Sequence, residues 1–160
     1  CENTTATVAR VSEEFDLADY DTVLIGSPIY RKDQILDSIT DFVTGNKETL
    51  AGKKVGIFIV ALDVAGSYLR GKPHGGLEHL KEFADLFAEP PIYGKMLGGE
   101  QVPTRLSSED KEKLLGFYKQ VLGADKIPYR YTMDKPKVWE YAERFHMFTT
   151  RSLKGPGKQN

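Results

Sequence analysis

Two apolar runs lacking polar alternation constrain this chain more than any other feature. They are Thr22–Ser27 (TVLIGS) and Lys54–Leu62 (KVGIFIVAL). A strand that reads apolar at successive positions is buried on both faces, which is the condition of a parallel sheet covered by helices. Ile92–Leu97 is a weaker strand, and Thr4–Val11 (TTATVARV), β-branched and alternating, reads as the first. Ser12–Tyr20 (SEEFDLADY) is acidic and short, a loop or a single turn.

Helical stripes lie between these runs. Ile35, Leu36, Ile39, Phe42 and Val43 recur at helical spacing, with Asp37 and Asp41 on the solvated side. Leu77, Leu80, Phe83, Ala84 and Phe87 form a second stripe, closed by Pro90 and Pro91. Ser107 or Ser108 with Glu109 and Asp110 starts a third helix, which Gly123 ends. Pro136 opens a fourth, carrying Val138, Trp139, Tyr141, Ala142 and Phe145. Strands alternating with helices give an α/β fold with right-handed crossovers. One domain over residues 1–148 is expected, with a mobile tail over 149–160.

Composition narrows the function classes. With 22 basic and 23 acidic residues, net charge −1, the chain has no basic stripe for generic nucleic-acid binding. Its single cysteine, Cys1, excludes an internal disulfide framework and a cysteine zinc cage. His74, His79 and His146 have no partner at metal-binding spacing and read as surface residues. No run is long and apolar enough for a membrane span, so a cytoplasmic location is expected. Cys1 in place of an initiator methionine reads as a processed chain or a fragment.

Ligands of open α/β sheets bind beyond the carboxyl ends of the strands. Two such ends carry suggestive residues. Gly26-Ser27-Pro28-Ile29-Tyr30-Arg31 offers a close backbone approach, a hydroxyl, a stiff proline and an aromatic face. Ala61-Leu62-Asp63-Val64-Ala65-Gly66-Ser67-Tyr68 follows the strongest strand and offers backbone amides and a second aromatic. Ser27 is no hydrolase nucleophile, because the G-x-S-x-G turn is absent. Gly71–Gly76 (GKPHGG) lacks the order of a phosphate loop and reads as a flexible loop or lid. The amphipathic stretch Lys111–Leu122 suits packing on its own domain, with a partner or a membrane surface as the other option. No catalytic acid or base stands out.

The stretch Tyr20-Asp21-Thr22-Val23-Leu24-Ile25-Gly26-Ser27-Pro28-Ile29-Tyr30 resembles the third strand and following loop of flavodoxin-like proteins. Asp41-Phe42-Val43, Leu50-Ala51-Gly52-Lys53, Leu97-Gly98-Gly99 and Trp139-Glu140-Tyr141-Ala142 follow in the same order. Within that group the chain is similar to the flavodoxin-domain family that includes the quinone-linked, FMN-dependent protoporphyrinogen oxidases. Pro103–Tyr131 sits where those proteins carry a helical insertion. The resemblance implies a three-layer sandwich and an FMN site. Ser27, Pro28, Ile29, Tyr30 and Arg31 would flank the flavin ring. Ala61, Leu62 and Asp63 would meet its polar edge, and Gly98 and Gly99 would line the near side. Arg31 or Lys32 near the ring would favour its anionic reduced form. The implied partners are a redox protein or a quinone, with peripheral membrane contact open.

The resemblance also brings an expectation of incompleteness. Such domains begin with a strand, a hydroxyl- and glycine-rich phosphate loop and a helix, and Thr4–Val11 matches only their second strand. The first strand lies mid-sheet in the order 2-1-3-4-5. Weak FMN binding and marginal stability are therefore expected of these 160 residues. A cofactor-free interaction module of the same fold is the alternative.

Overall fold

A computed structural model describes residues 6–30, 34–62, 64, 67–69, 72–74 and 76–150, with the backbone path alone at 30, 67–69 and 72–74. The central sheet has four strands in the order β2 (Gln34–Ile35), β1 (Thr22–Tyr30), β3 (Lys54–Ala61), β6 (Tyr93–Gly98). β1, β3 and β6 run parallel, as the unbroken apolar runs require. β2 folds back antiparallel on the end of β1, pairing Ile29 with Ile35 and Tyr30 with Gln34. That hairpin corrects the expected loop at Ser27–Tyr30, whose residues continue the strand. Pro28 is tolerated there because β1 is ladder-paired only to β3 at that position, so its missing N–H can face the open side.

The helices are α1 (Asp37–Gly45), α2 (Lys47–Ala51), α3 (Leu77–Ala84), α4 (Ser108–Leu122) and α5 (Lys135–Thr150). Side chains alternate across each strand, so Ile25, Val55, Ile57, Ile59 and Met96 share one face. They cluster with Ile39 and Val43 of α1, Leu50 of α2 and Phe83 of α3. Each fully buried aliphatic or aromatic side chain contributes about 1.5–3 kcal/mol relative to exposure. The opposite face carries Tyr93 and Phe58, and α5 lies over it. The Tyr141 ring stacks on Tyr93 at 5.1 Å and meets Phe58 edge-on at 6.1 Å. Helices on both faces make three layers, as the sequence implied.

α4 is the best-specified helix. Ser107 Oγ accepts from the Asp110 amide, and Gly123 closes the C-terminus at φ 65° in the left-handed region. α5 runs to Thr150, past the expected boundary at residue 148. Residues 151–160 lie outside the described chain.

Several expectations are corrected. Residues 6–11 form no strand and are largely exposed. A strand needs a neighbour, and the edge of β1 that faces this segment has no partner over 22–28 among the described residues. Ile35 and Leu36 precede α1 instead of opening it. Two short antiparallel pairs had no sequence signal: β4 (Ser67–Leu69) with β5 (Lys72–His74), and β7 (Glu100–Gln101) with β8 (Arg130–Tyr131). The expected flexible loop at 71–76 thus contains β5. His79 lies on the buried face of α3 beside Phe83 and Leu80, and is not a surface residue.

Candidate functional site

Three parallel strands finish level at one edge of the sheet. Pro28 pairs with Val60, Val60 with Leu97, and Ala61 with Gly98. The segments that follow β1 and β3 therefore leave from the same edge, side by side. This is where open parallel sheets bind ligands. The register puts Pro28, Val60 and Leu97 in one row, with Ala61 and Gly98 paired one residue further on. Arg31, Lys32 and Asp63 lie outside the described residues, as does the side chain of Tyr30.

The remaining candidates have specific placements. Ser27 is fully buried, and its hydroxyl donates to the Pro28 carbonyl (2.9 Å) while accepting from the Leu36 amide (3.2 Å). That hydroxyl pins the β1–α1 connection and has no donor left for a ligand while it holds the Pro28 carbonyl. Ile29 is half-buried against the core. Ala61 and Leu62 are half-buried at the sheet edge.

Gly98 and Gly99 face protein. A Cβ on Gly98 would stand 1.8 Å from the Thr132 carbonyl oxygen. The Thr132 amide donates to Gly99 O (2.9 Å), and the Gly99 amide donates to Thr132 Oγ1 (3.1 Å). The close approach of residue 132 thus accounts for Gly98, while a Cβ on Gly99 would stand 2.9 Å from Val60 Cγ1. Thirty-three positions separate the partners, which no local pattern reveals.

The insertion is locked to this edge by a buried polar contact. Gln101 Nε2 donates to the Pro128 carbonyl (2.8 Å) and to Tyr118 Oη (3.3 Å). Gln101 and Tyr118 are both buried. Replacing Gln101 by alanine leaves the hydroxyl of buried Tyr118 without this partner, so urea unfolding should show a loss of about 1–3 kcal/mol with an unchanged m-value.

A flavin phosphate needs amide donors or cations, commonly at a helix N-terminus. The described helices oppose this. Asp37, Glu48, Glu78, Glu109 and Asp110 occupy the first turns of α1 to α4. Asp134 precedes α5 and accepts from the Lys137 amide (3.2 Å), which holds its carboxyl below the usual range. No helix start among the described residues therefore fits a flavin phosphate. Among them no group of three or more histidine, cysteine or acidic side chains is placed to hold a metal.

A parallel α/β sheet with its free edge at the strand carboxyl ends defines a nucleotide- or cofactor-type scaffold. The family model of the flavodoxin domain matches residues 2–114, and the chain belongs to that family. The family is one of FMN-binding redox domains. No curated protein and no solved structure matches the chain. No helix among the described residues is long and apolar enough to cross a membrane.

Proposed function

We propose that this chain supplies the ring-side part of an FMN site in a redox protein of the flavodoxin family. The observation that carries this reading is that the three parallel strands end close together, with Pro28, Val60 and Leu97 in one row and Ala61 and Gly98 in the next. Bound there, FMN would supply the electron-transfer chemistry. The chain's own part is to seat the ring between residues 28–31 and 61–63 and to exclude water from one side. The phosphate would be held by residues other than those described, since acid stands at each described helix start.

Titration with FMN, followed by flavin fluorescence, tests this on two proteins. One is the 160-residue chain, and the other carries its natural upstream sequence. The longer protein is expected to quench the flavin saturably and the shorter one weakly or not at all. If neither quenches it, the redox reading fails and a cofactor-free interaction module takes its place. The acidic helix starts favour that second reading.

A finer proposal is a protoporphyrinogen-oxidase-like activity with a quinone as electron acceptor. Its support is the helical insertion at 103–131, which returns through β8 to the cofactor edge. Stopped-flow reoxidation by a quinone, set against an iron–sulfur partner, separates this from a carrier that serves a protein. Peripheral membrane contact belongs to the same proposal. Phe117 and Leu122 of α4 are 42% and 54% exposed.

A further inference from the structure

The two edges of the sheet differ in charge. The segments that lead into β1, β3 and β6, residues 12–21, 46–53 and 85–92, carry eight acidic and two basic side chains. All five acids of the first segment, Glu13, Glu14, Asp16, Asp19 and Asp21, are exposed. At the opposite edge the return of the insertion, residues 126–137, carries Lys126, Arg130, Lys135 and Lys137 against Asp134 alone. Lys137 is paired with Asp134 at 3.3 Å, and Lys126, Arg130 and Lys135 are exposed. A molecule polarised in this way turns its basic end toward a negative partner as the two approach.

Apolar side chains stand among these charges. The alternation of an extended segment puts Tyr129, Tyr131 and Met133 on one side of the return and turns Thr132 toward Gly99. The three are 59%, 50% and 40% exposed. Glu100 pairs with Tyr131 across the β7–β8 ladder and shares its face. Tyr129 Oη donates to Glu100 Oε1 at 3.0 Å, and Arg105 Nη1 stands 3.9 Å from Glu100 Oε2. The shared carboxylate thus holds a tyrosine and an arginine side by side on the ribbon before any partner arrives. Tyrosine, methionine and arginine are enriched where proteins meet, with charge kept to the rim.

We propose that this face of the β7–β8 ribbon docks an acidic protein. Tyr129, Tyr131 and Met133 form its apolar centre, with Arg105 beside them and Lys126 and Lys135 at the two ends of the segment. Charge complementarity sets the chemistry of the partner: a surface rich in carboxylates meets cations here and would meet acids at the far edge of the sheet. A protein suits the face better than an anionic lipid surface does. Glu100 lies within the patch, where lipid headgroups of the same sign would repel it and a protein can set a cation against it. The docking is independent of FMN, because none of its residues is among those that would seat the flavin ring.

An NMR titration of the 160-residue chain with a plant-type ferredoxin, a small acidic protein, tests this. Saturable shifts are expected at the amides of 129–135 and none at 12–21. Association should slow as salt is added, because charge steers it. Arg105→Glu combined with Lys135→Glu should slow association on the order of tenfold, while Lys47→Glu at the far edge changes nothing. Tyr131→Ala should raise the Kd about tenfold and keep the salt dependence. Amide shifts remote from the ribbon show that each variant retains its fold. No saturable shift, shifts confined to other residues, or an association rate indifferent to the charge reversal overturns the proposal. So does binding to phosphatidylserine vesicles that the same charge reversal abolishes while ferredoxin leaves 129–135 unshifted, which would assign the face to a membrane.

Discussion

Gly98→Ala should destabilise the protein by about 1–3 kcal/mol, the cost of forcing extra volume into packed structure. The new methyl would meet backbone, the Thr132 carbonyl oxygen at 1.8 Å and its carbon at 2.5 Å. Backbone cannot rotate away as a side-chain end does. Residue 132 is further tied down by the Gly99 hydrogen bonds and the β7–β8 ladder. Relief therefore requires the return segment of the insertion to lift from the sheet edge. Urea unfolding should show the lower midpoint, and amides at 130–132 should lose exchange protection first. Gly116→Ala in α4 is the control, since a Cβ there meets nothing within 4 Å. It should gain about 0.5–1 kcal/mol from helix propensity. A Gly98→Ala protein as stable as its parent would mean that residue 132 does not rest on Gly98 in solution.

The parts of the fold legible in the sequence were those set by local pattern. TVLIGS and KVGIFIVAL announced buried parallel strands because burial on both faces removes alternation. Ser107, Glu109, Asp110 and Gly123 marked both ends of α4 because cap chemistry acts within one turn. The failures share a different cause. Thr4–Val11 has the composition of a strand, yet residues 6–11 form none, because a strand requires a neighbour that composition does not report. Gln101 and Thr132 gave no signal, since their partners lie 17 to 33 positions away. The candidate site divides in the same way. Its position at the strand ends followed from topology. The surroundings of Ser27, Gly98 and Gly99 depended on contacts that only the folded chain makes: Leu36 and Pro28 around the serine, Thr132 over Gly98 and Val60 beside Gly99.

Tyr141→Ala should cost about 3–5 kcal/mol, the range for deleting a buried aromatic ring. Tyr141 is the only α5 residue classed as buried, and its ring touches Tyr93, Phe58 and Phe145. Removing it separates α5 from β3 and β6 and uncovers that face of the sheet. Tyr141→Phe keeps the ring and loses only the hydroxyl's donation to the Ile57 carbonyl at 2.8 Å. That variant should cost about 0.5–1.5 kcal/mol, the net worth of one hydrogen bond. The pair of variants thus separates ring packing from the polar contact. Alkaline pH separates them again. Burial, with a smaller effect from Tyr93, raises the Tyr141 phenol well above its ordinary value of 10.0. Above that value the unfolded chain releases this proton and the folded chain retains it. The folded state therefore binds more protons, and stability falls as pH rises through this range, by up to about 1.4 kcal/mol per pH unit. Below it the contribution is fully present. Chemical unfolding of parent and Tyr141→Phe from about pH 8 to about pH 11 should show the two stabilities converging, because the variant has no proton to lose there. Parallel curves would place the Tyr141 hydroxyl in water and detach α5 from the Ile57 carbonyl.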